Sequence, residues 1–231
     1  MARETLVSGG QEMLVNIALG RTVVEGLLEL PAEALGVVVF AHGSGNSRHS
    51  PRNKVVASAL QAGGFGTLLL DLLTTQEEAL DARTGQLRFD IDRLAQRLAG
   101  ATQWLVENSP GLPVGYFGAG TGAAAALRAA AELRDEVSAV VSHGGRPDLA
   151  GPALPKVEVP VLLIVGERDE LVIDLNREAM KYLRHAQEKK LEIITGATHL
   201  FGEPGALERV SELARVWFAQ FLPAEKQRMT G

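Results

Sequence analysis

Six short apolar runs punctuate this chain, and each gives way to glycine or to a polar residue. They are Val37 to Ala41 before His42-Gly43-Ser44-Gly45, Thr67 to Leu70 before Asp71, and Val114 to Phe117 before a glycine-rich turn. Ala139 to Ser142 stops at His143-Gly144-Gly145, Val161 to Val165 stops at Gly166, and Leu191 to Ile194 ends just before Gly196. Continuous apolar strands of this length are buried on both faces, as in parallel sheets. Helical patterns fill the intervals. Ser50-Pro51 supplies an N-cap and first helical position ahead of Lys54 to Gln61. Ile91 to Glu107 carries an apolar stripe at helical spacing, Ala123 to Leu133 is alanine-rich, and Leu175 to Arg184 and Leu207 to Phe221 complete the set. Upstream, Met13 to Leu19 and Val23 to Leu30 alternate and predict an antiparallel pair. Strands alternating with helices define an α/β fold with a mostly parallel central sheet flanked by helices on both faces.

The same pattern sets the expected organisation: one domain over residues 1–223, then a polar tail from Ala224 to Gly231 that frays. The connection from Gly144 to Pro160 is proline-rich and too short for a cap domain, so the fold is expected to be capless. Leu72 to Arg88 is expected to form a modest flap near a site, with Arg88 and Asp90 as a structural ion pair. Trp104 and Trp217 are expected to pack in the core.

Charge and composition narrow the function classes. Lys plus Arg is 23 and Asp plus Glu is 28, so the net charge of −5 argues against coating a nucleic-acid backbone or an anionic membrane. Cysteine is absent, which excludes disulfides, thiolate metal sites and a cysteine nucleophile. The opening residues carry an acid and lack an apolar core, and no run approaches the ~18 apolar residues of a membrane span. The expectation is a cytoplasmic protein, monomer or homodimer, acting on a small molecule.

Four strand ends carry chemistry that belongs together. Gly118-x-Gly120-x-Gly122 lies between a strand and a helix, the context of a G-x-S-x-G nucleophile elbow, but with glycine at the centre. Asp169 follows a core strand in Gly166-Glu167-Arg168-Asp169, and His199 follows the last strand in Gly196-Ala197-Thr198-His199. The spacings of 49 and 30 residues each leave room for a helix and a strand. The loop His42 to Gly45 can offer backbone N–H groups to an oxyanion. A competing reading is dinucleotide binding, because Gly118-x-Gly120-x-x-Ala123 formally satisfies that fingerprint. The fingerprint wants an acid at the end of the next strand, and here that strand ends in Ser142-His143.

Over nearly its whole length the chain resembles an α/β hydrolase of the dienelactone-hydrolase-like branch. The resemblance is carried by His42 to Asn53, Arg88-Phe89-Asp90-Ile91, Gly118 to Gly122, Gly144 to Pro147, Leu163 to Asp169 and Ala197 to Phe201. It implies that Asp169 orients His199, that His199 is the general base, and that backbone N–H groups at Ser44 and Thr121 form the oxyanion hole. It also implies hydrolysis of a small ester or lactone through an acyl intermediate, with no metal or organic cofactor. His42, Gly45, Arg48 and Arg146 are candidates to bind substrate, but bracing of their loops is the first reading for His42, for Arg48 and for Arg146. Gly120 departs from the pattern at the nucleophile position, since it has no side chain to attack a carbonyl. Losing that group in a comparable hydrolase costs ~10⁶ in turnover, so the chain is expected to be a very weak hydrolase or none. The second hypothesis is a non-catalytic ligand-binding descendant, or a scaffold in which His199 serves directly as general base.

Overall fold

A computed structural model describes residues 10–42 and 48–222. Its eight strands are β1 (Met13–Leu19), β2 (Thr22–Glu29), β3 (Val37–Ala41), β4 (Gly66–Leu70), β5 (Val114–Ala119), β6 (Val137–His143), β7 (Val161–Gly166) and β8 (Lys189–Ile194). They form one sheet in the order β1-β2-β4-β3-β5-β6-β7-β8. β1 pairs antiparallel with β2, and β2 with β4, while every other pairing is parallel. The strand order reverses where β3 lies between β4 and β5, which is where ligands sit in open α/β sheets.

Six helices cover the sheet: α1 (Pro51–Ala62), α2 (Thr75–Thr84), α3 (Ile91–Asn108), α4 (Thr121–Glu132), α5 (Glu170–Tyr182) and α6 (Ala206–Phe221). The strands divide their side chains between two cores, which is why they read as unbroken apolar runs. On one face Val37, Val39, Leu68 and Tyr116 pack with Leu94, Leu98 and Leu105 of α3 and the alanines of α4. On the other, Val38, Phe40, Leu69 and Phe117 pack with Val56 and Leu60 of α1 and with Val210, Trp217 and Phe218 of α6. The alanine-rich α4 lets helix and sheet approach closely. At Gly122 a Cβ would overlap the Ala41 carbonyl oxygen, so only glycine fits there.

Three elements differ from the sequence reading. α5 starts at Glu170, directly after Asp169, and not at Leu175. Ser50 occupies the N-cap position of α1 without a side-chain capping bond, leaving Pro51 as the start signal. The segment expected as a flap is a braced wall. Thr74 Oγ1 accepts from Glu77 N (3.3 Å) and Glu77 Oε2 accepts from Thr74 N (2.9 Å), a capping box that starts α2. Glu77 also holds Arg97, which donates to the Leu72 carbonyl at 2.7 Å. These donors hold the Glu77 carboxyl down at about 2, the Arg97 hydrogen bond being the largest cause. Buried Asp81, near the end of α2, accepts from the backbone N–H of Arg88 (2.9 Å) and from its Nε (2.8 Å). The expected Arg88–Asp90 pair is therefore not formed: Arg88 closes on Asp81, while Asp90 caps α3 through Arg93 N at 3.2 Å. A 3₁₀ turn, Leu87–Phe89, connects this wall to α3, and a second 3₁₀ segment spans Pro147–Lys156.

Trp217 is buried as expected and Trp104 is partly so. Among the described residues no helix is long and apolar enough to cross a membrane. The expected tail Ala224 to Gly231 lies outside the described residues.

Candidate active site

Gly120 ends β5 and opens α4 with φ 54° and ψ −125°. This corner belongs to the sparsely populated region that side-chain-bearing residues enter only under strain, about 1–3 kcal/mol. The sharp reversal puts position 120 at the carboxyl edge of the sheet, over the start of a helix.

The loops after β7 and β8 are stitched together. Arg168 N donates to the Ala197 carbonyl (2.9 Å), and Glu167 Oε2 accepts from Gly196 N (2.7 Å). Thr198 N in turn donates to Glu203 Oε2 at 3.0 Å. That framework brings His199 Nδ1 to 2.6 Å from Asp169 Oδ2. A carboxylate can only accept, so Nδ1 carries the proton and the lone pair of the neutral ring is on Nε2. Just beyond, Phe201 turns back at φ 52° and is fully buried against His143.

Gly120, Thr121, Asp169, His199 and Arg146 all line one open cavity of about 500 Å³. That volume suits a small molecule. The remaining wall comes from Arg52 and Asn53 of α1, Arg88 and Phe89, Ala119, His143 and Gly144, with Val172 and Leu200 at the sides. Two of the arginines are already engaged. Arg146 donates through Nε and Nη2 to both oxygens of Asp148 (2.8 and 2.7 Å), and Arg88 is held by Asp81.

Not every residue expected here arrives. Ser44 and Gly45 lie outside the described residues. His42 and Arg48 are not in the cavity lining, because buried Asp71 at the end of β4 captures both. Its Oδ1 accepts from His42 Nε2 (3.2 Å) and from Arg48 N (2.7 Å), Oδ2 pairs with the Arg48 guanidinium, and Arg48 Nη2 reaches Glu25 at 2.7 Å. Burial pushes the Asp71 carboxyl up, but the donors from His42 and Arg48 outweigh it and hold it below its ordinary range. Bracing is the role this geometry gives His42 and Arg48.

Conversely, sequence reasoning passed over Asn53, Phe89 and His143 as site residues. His143 is the notable omission, because it ends β6 directly opposite Ala119 of β5. A polar residue at the end of the strand beside the elbow strand was a topological signal that could have found it.

The reversing parallel sheet, the glycine corner after β5 and the Asp169–His199 pair after β7 and β8 define the α/β-hydrolase fold. Residues 24–221 match the dienelactone hydrolase family, and the chain belongs to that family. A crystal structure of a dienelactone hydrolase from Anabaena variabilis superposes with a TM-score of 0.87 at 54% identity, covering 92% of this chain and 98% of that one. An esterase domain from a Rhodothermus marinus protein shares the fold alone, with a TM-score of 0.73 at 19% identity over 92% of this chain and 99% of that one. Mycobacterium tuberculosis proteins from two strains, which carry the provisional name phosphoribosyl transferase, are 52% identical over 210 residues. That match covers 90% of this chain but 46% of theirs, so the chain spans about half the length of these curated relatives.

Proposed function

We propose that the cavity is the site of a carboxylic-ester or lactone hydrolase scaffold in which Gly120 stands at the nucleophile position. The observation that carries this reading is the 2.6 Å Asp169–His199 hydrogen bond in the same cavity as the strained corner at Gly120. In a serine-bearing form the 120 hydroxyl would attack the substrate carbonyl while His199 Nε2 takes its proton. Asp169 would keep the imidazole in the required tautomer, and the Thr121 backbone N–H, with a donor from the Ser44 loop, would stabilise the oxyanion. As written, the chain keeps the base and its orienting acid but not the attacking group, so its ester turnover stays at the residual level.

Gly120→Ser assayed with p-nitrophenyl acetate tests this. The expected gain is at least ~10³-fold, lost again on His199→Ala. No gain would remove the catalytic assignment and leave a ligand-binding descendant. The mycobacterial relatives' name does not redirect this reading, because this chain spans only 46% of their length.

A further inference from the structure

The sheet ends at β8, and the outer edge of that strand is open. The carbonyls of Glu188 and Ile194 accept from Val161 N (2.8 Å) and Glu167 N (3.0 Å), so the even-numbered residues along β8 turn their main chain toward β7. Lys189, Leu191 and Ile193 therefore turn theirs outward. Among the described residues no hydrogen bond reaches those outward N–H and C=O groups. An open edge is a template for another strand, and proteins commonly guard it with lysine charges. Here both guards are engaged. Lys189 Nζ donates to the Met180 and Leu183 carbonyls around the end of α5 (2.9 and 3.0 Å), and Lys190 Nζ pairs with Glu192 Oε1 at 2.7 Å.

The side chains of this edge complement themselves. Lys190 and Glu192 share the face of Leu162 and Ile164, while Leu191 and Ile193 share the face of Leu163 and Val165. Turned about a two-fold axis through Leu191, the strand meets a second copy antiparallel, with Lys190 of each copy opposite Glu192 of the other. Those residues fall at the non-hydrogen-bonded positions, where side chains approach most closely. Lys189, Leu191 and Ile193 fall at the hydrogen-bonded positions and exchange about six main-chain bonds. Leu191 then stands against Leu191, and Ile193, 37% exposed, against the stem of Lys189. Sliding the pairing by two residues sets Lys190 against Lys190 or Glu192 against Glu192, and sliding it by one exchanges the two faces. Charge thus selects one alignment. The Lys190 and Glu192 side chains are 56% and 25% exposed, so they fix register more than they add affinity. β1, the opposite edge of the sheet, has no charged residue in Met13–Leu19 to single out a register.

We propose that the protein forms a two-fold dimer by antiparallel pairing of β8 with β8 of a second copy, centred on Leu191, which joins the two eight-stranded sheets into one. This association does not depend on the hydrolase reading. Analytical ultracentrifugation of the full chain from about 1 to about 200 μM tests it, since association follows mass action. A species of twice the 24.6 kDa chain mass is expected to grow with concentration. Glu192→Lys and Lys190→Glu each set like charges opposite one another at both pairs. Each is expected to raise the dimer Kd at least about tenfold, and the double swap to restore it to within about threefold. Circular dichroism checks that every variant keeps the parent fold. A chain that stays monomeric over the whole range would overturn the proposal. A dimer unmoved by the single swaps would also overturn it and shift the contact to another surface such as β1. A double swap as weak as the single ones would overturn the alignment on Leu191.

Discussion

His143 makes stability depend on pH in a way that can be calculated. Burial holds the imidazole of the folded chain neutral down to about 4, whereas an unfolded histidine titrates at its ordinary 6.5. Between those values the unfolded chain binds a proton that the folded chain does not, so stability falls as pH falls from 6.5 toward about 4. At pH 5 the unfolded imidazole is about 1.5 pH units below its midpoint, and at ~1.36 kcal/mol per unit the loss is about 2 kcal/mol relative to pH 8. That is a large share of the ~5–15 kcal/mol that holds a typical domain folded. Other groups titrate too, so the comparison is between the parent chain and His143→Phe. Urea unfolding of both, followed by tryptophan fluorescence at pH 8 and pH 5, isolates the contribution. The gap between them should move by about 2 kcal/mol in favour of the variant at pH 5. A gap constant to within about 0.5 kcal/mol would show that His143 is solvated or partnered in the folded state.

Two further outcomes follow from the backbone around the site. Gly122→Ala drives a methyl group into the Ala41 carbonyl, part of the rigid sheet, and should destabilise the fold by about 2–4 kcal/mol in chemical denaturation; a change below about 1 kcal/mol would mean that α4 can move away from β3. Gly120→Ser should lower the melting temperature while raising ester turnover, because a side chain at φ 54° and ψ −125° costs about 1–3 kcal/mol; a variant as stable as the parent would show that the corner relaxes.

How far the residues disclosed the structure depended on where each element drew its stability. β3 to β7 were legible because burial on both faces leaves unbroken apolar runs. β8 was found only from Leu191, since its first residues, Lys189 and Lys190, are exposed at the sheet edge and read as loop. α2 was missed because Thr75–Thr84 buries little beyond Asp81. Its support is the capping box and the ion pairs to Arg88 and Arg97, of which only the Thr74-x-x-Glu77 spacing shows in the sequence. At the site, Gly120, Asp169 and His199 follow from strand ends and chain order. The bracing role of Arg48 was legible but its partner was not, because sequence cannot say that Asp71, 23 residues away, takes that guanidinium. Nor can it show that buried side-chain atoms of His143, Asn53 and Thr121 are left without partners among the described residues, a property of packing alone.

The anchored segment from Leu72 to Phe89 has a consequence for how molecules enter. With its helix clamped at both ends by Glu77 and Asp81, the backbone leading to Phe89 is braced, and that ring stands over half exposed at the lip of the hollow. The width of the entrance can thus be retuned at that one aromatic ring without loosening the hydrogen bonds and ion pairs beneath it.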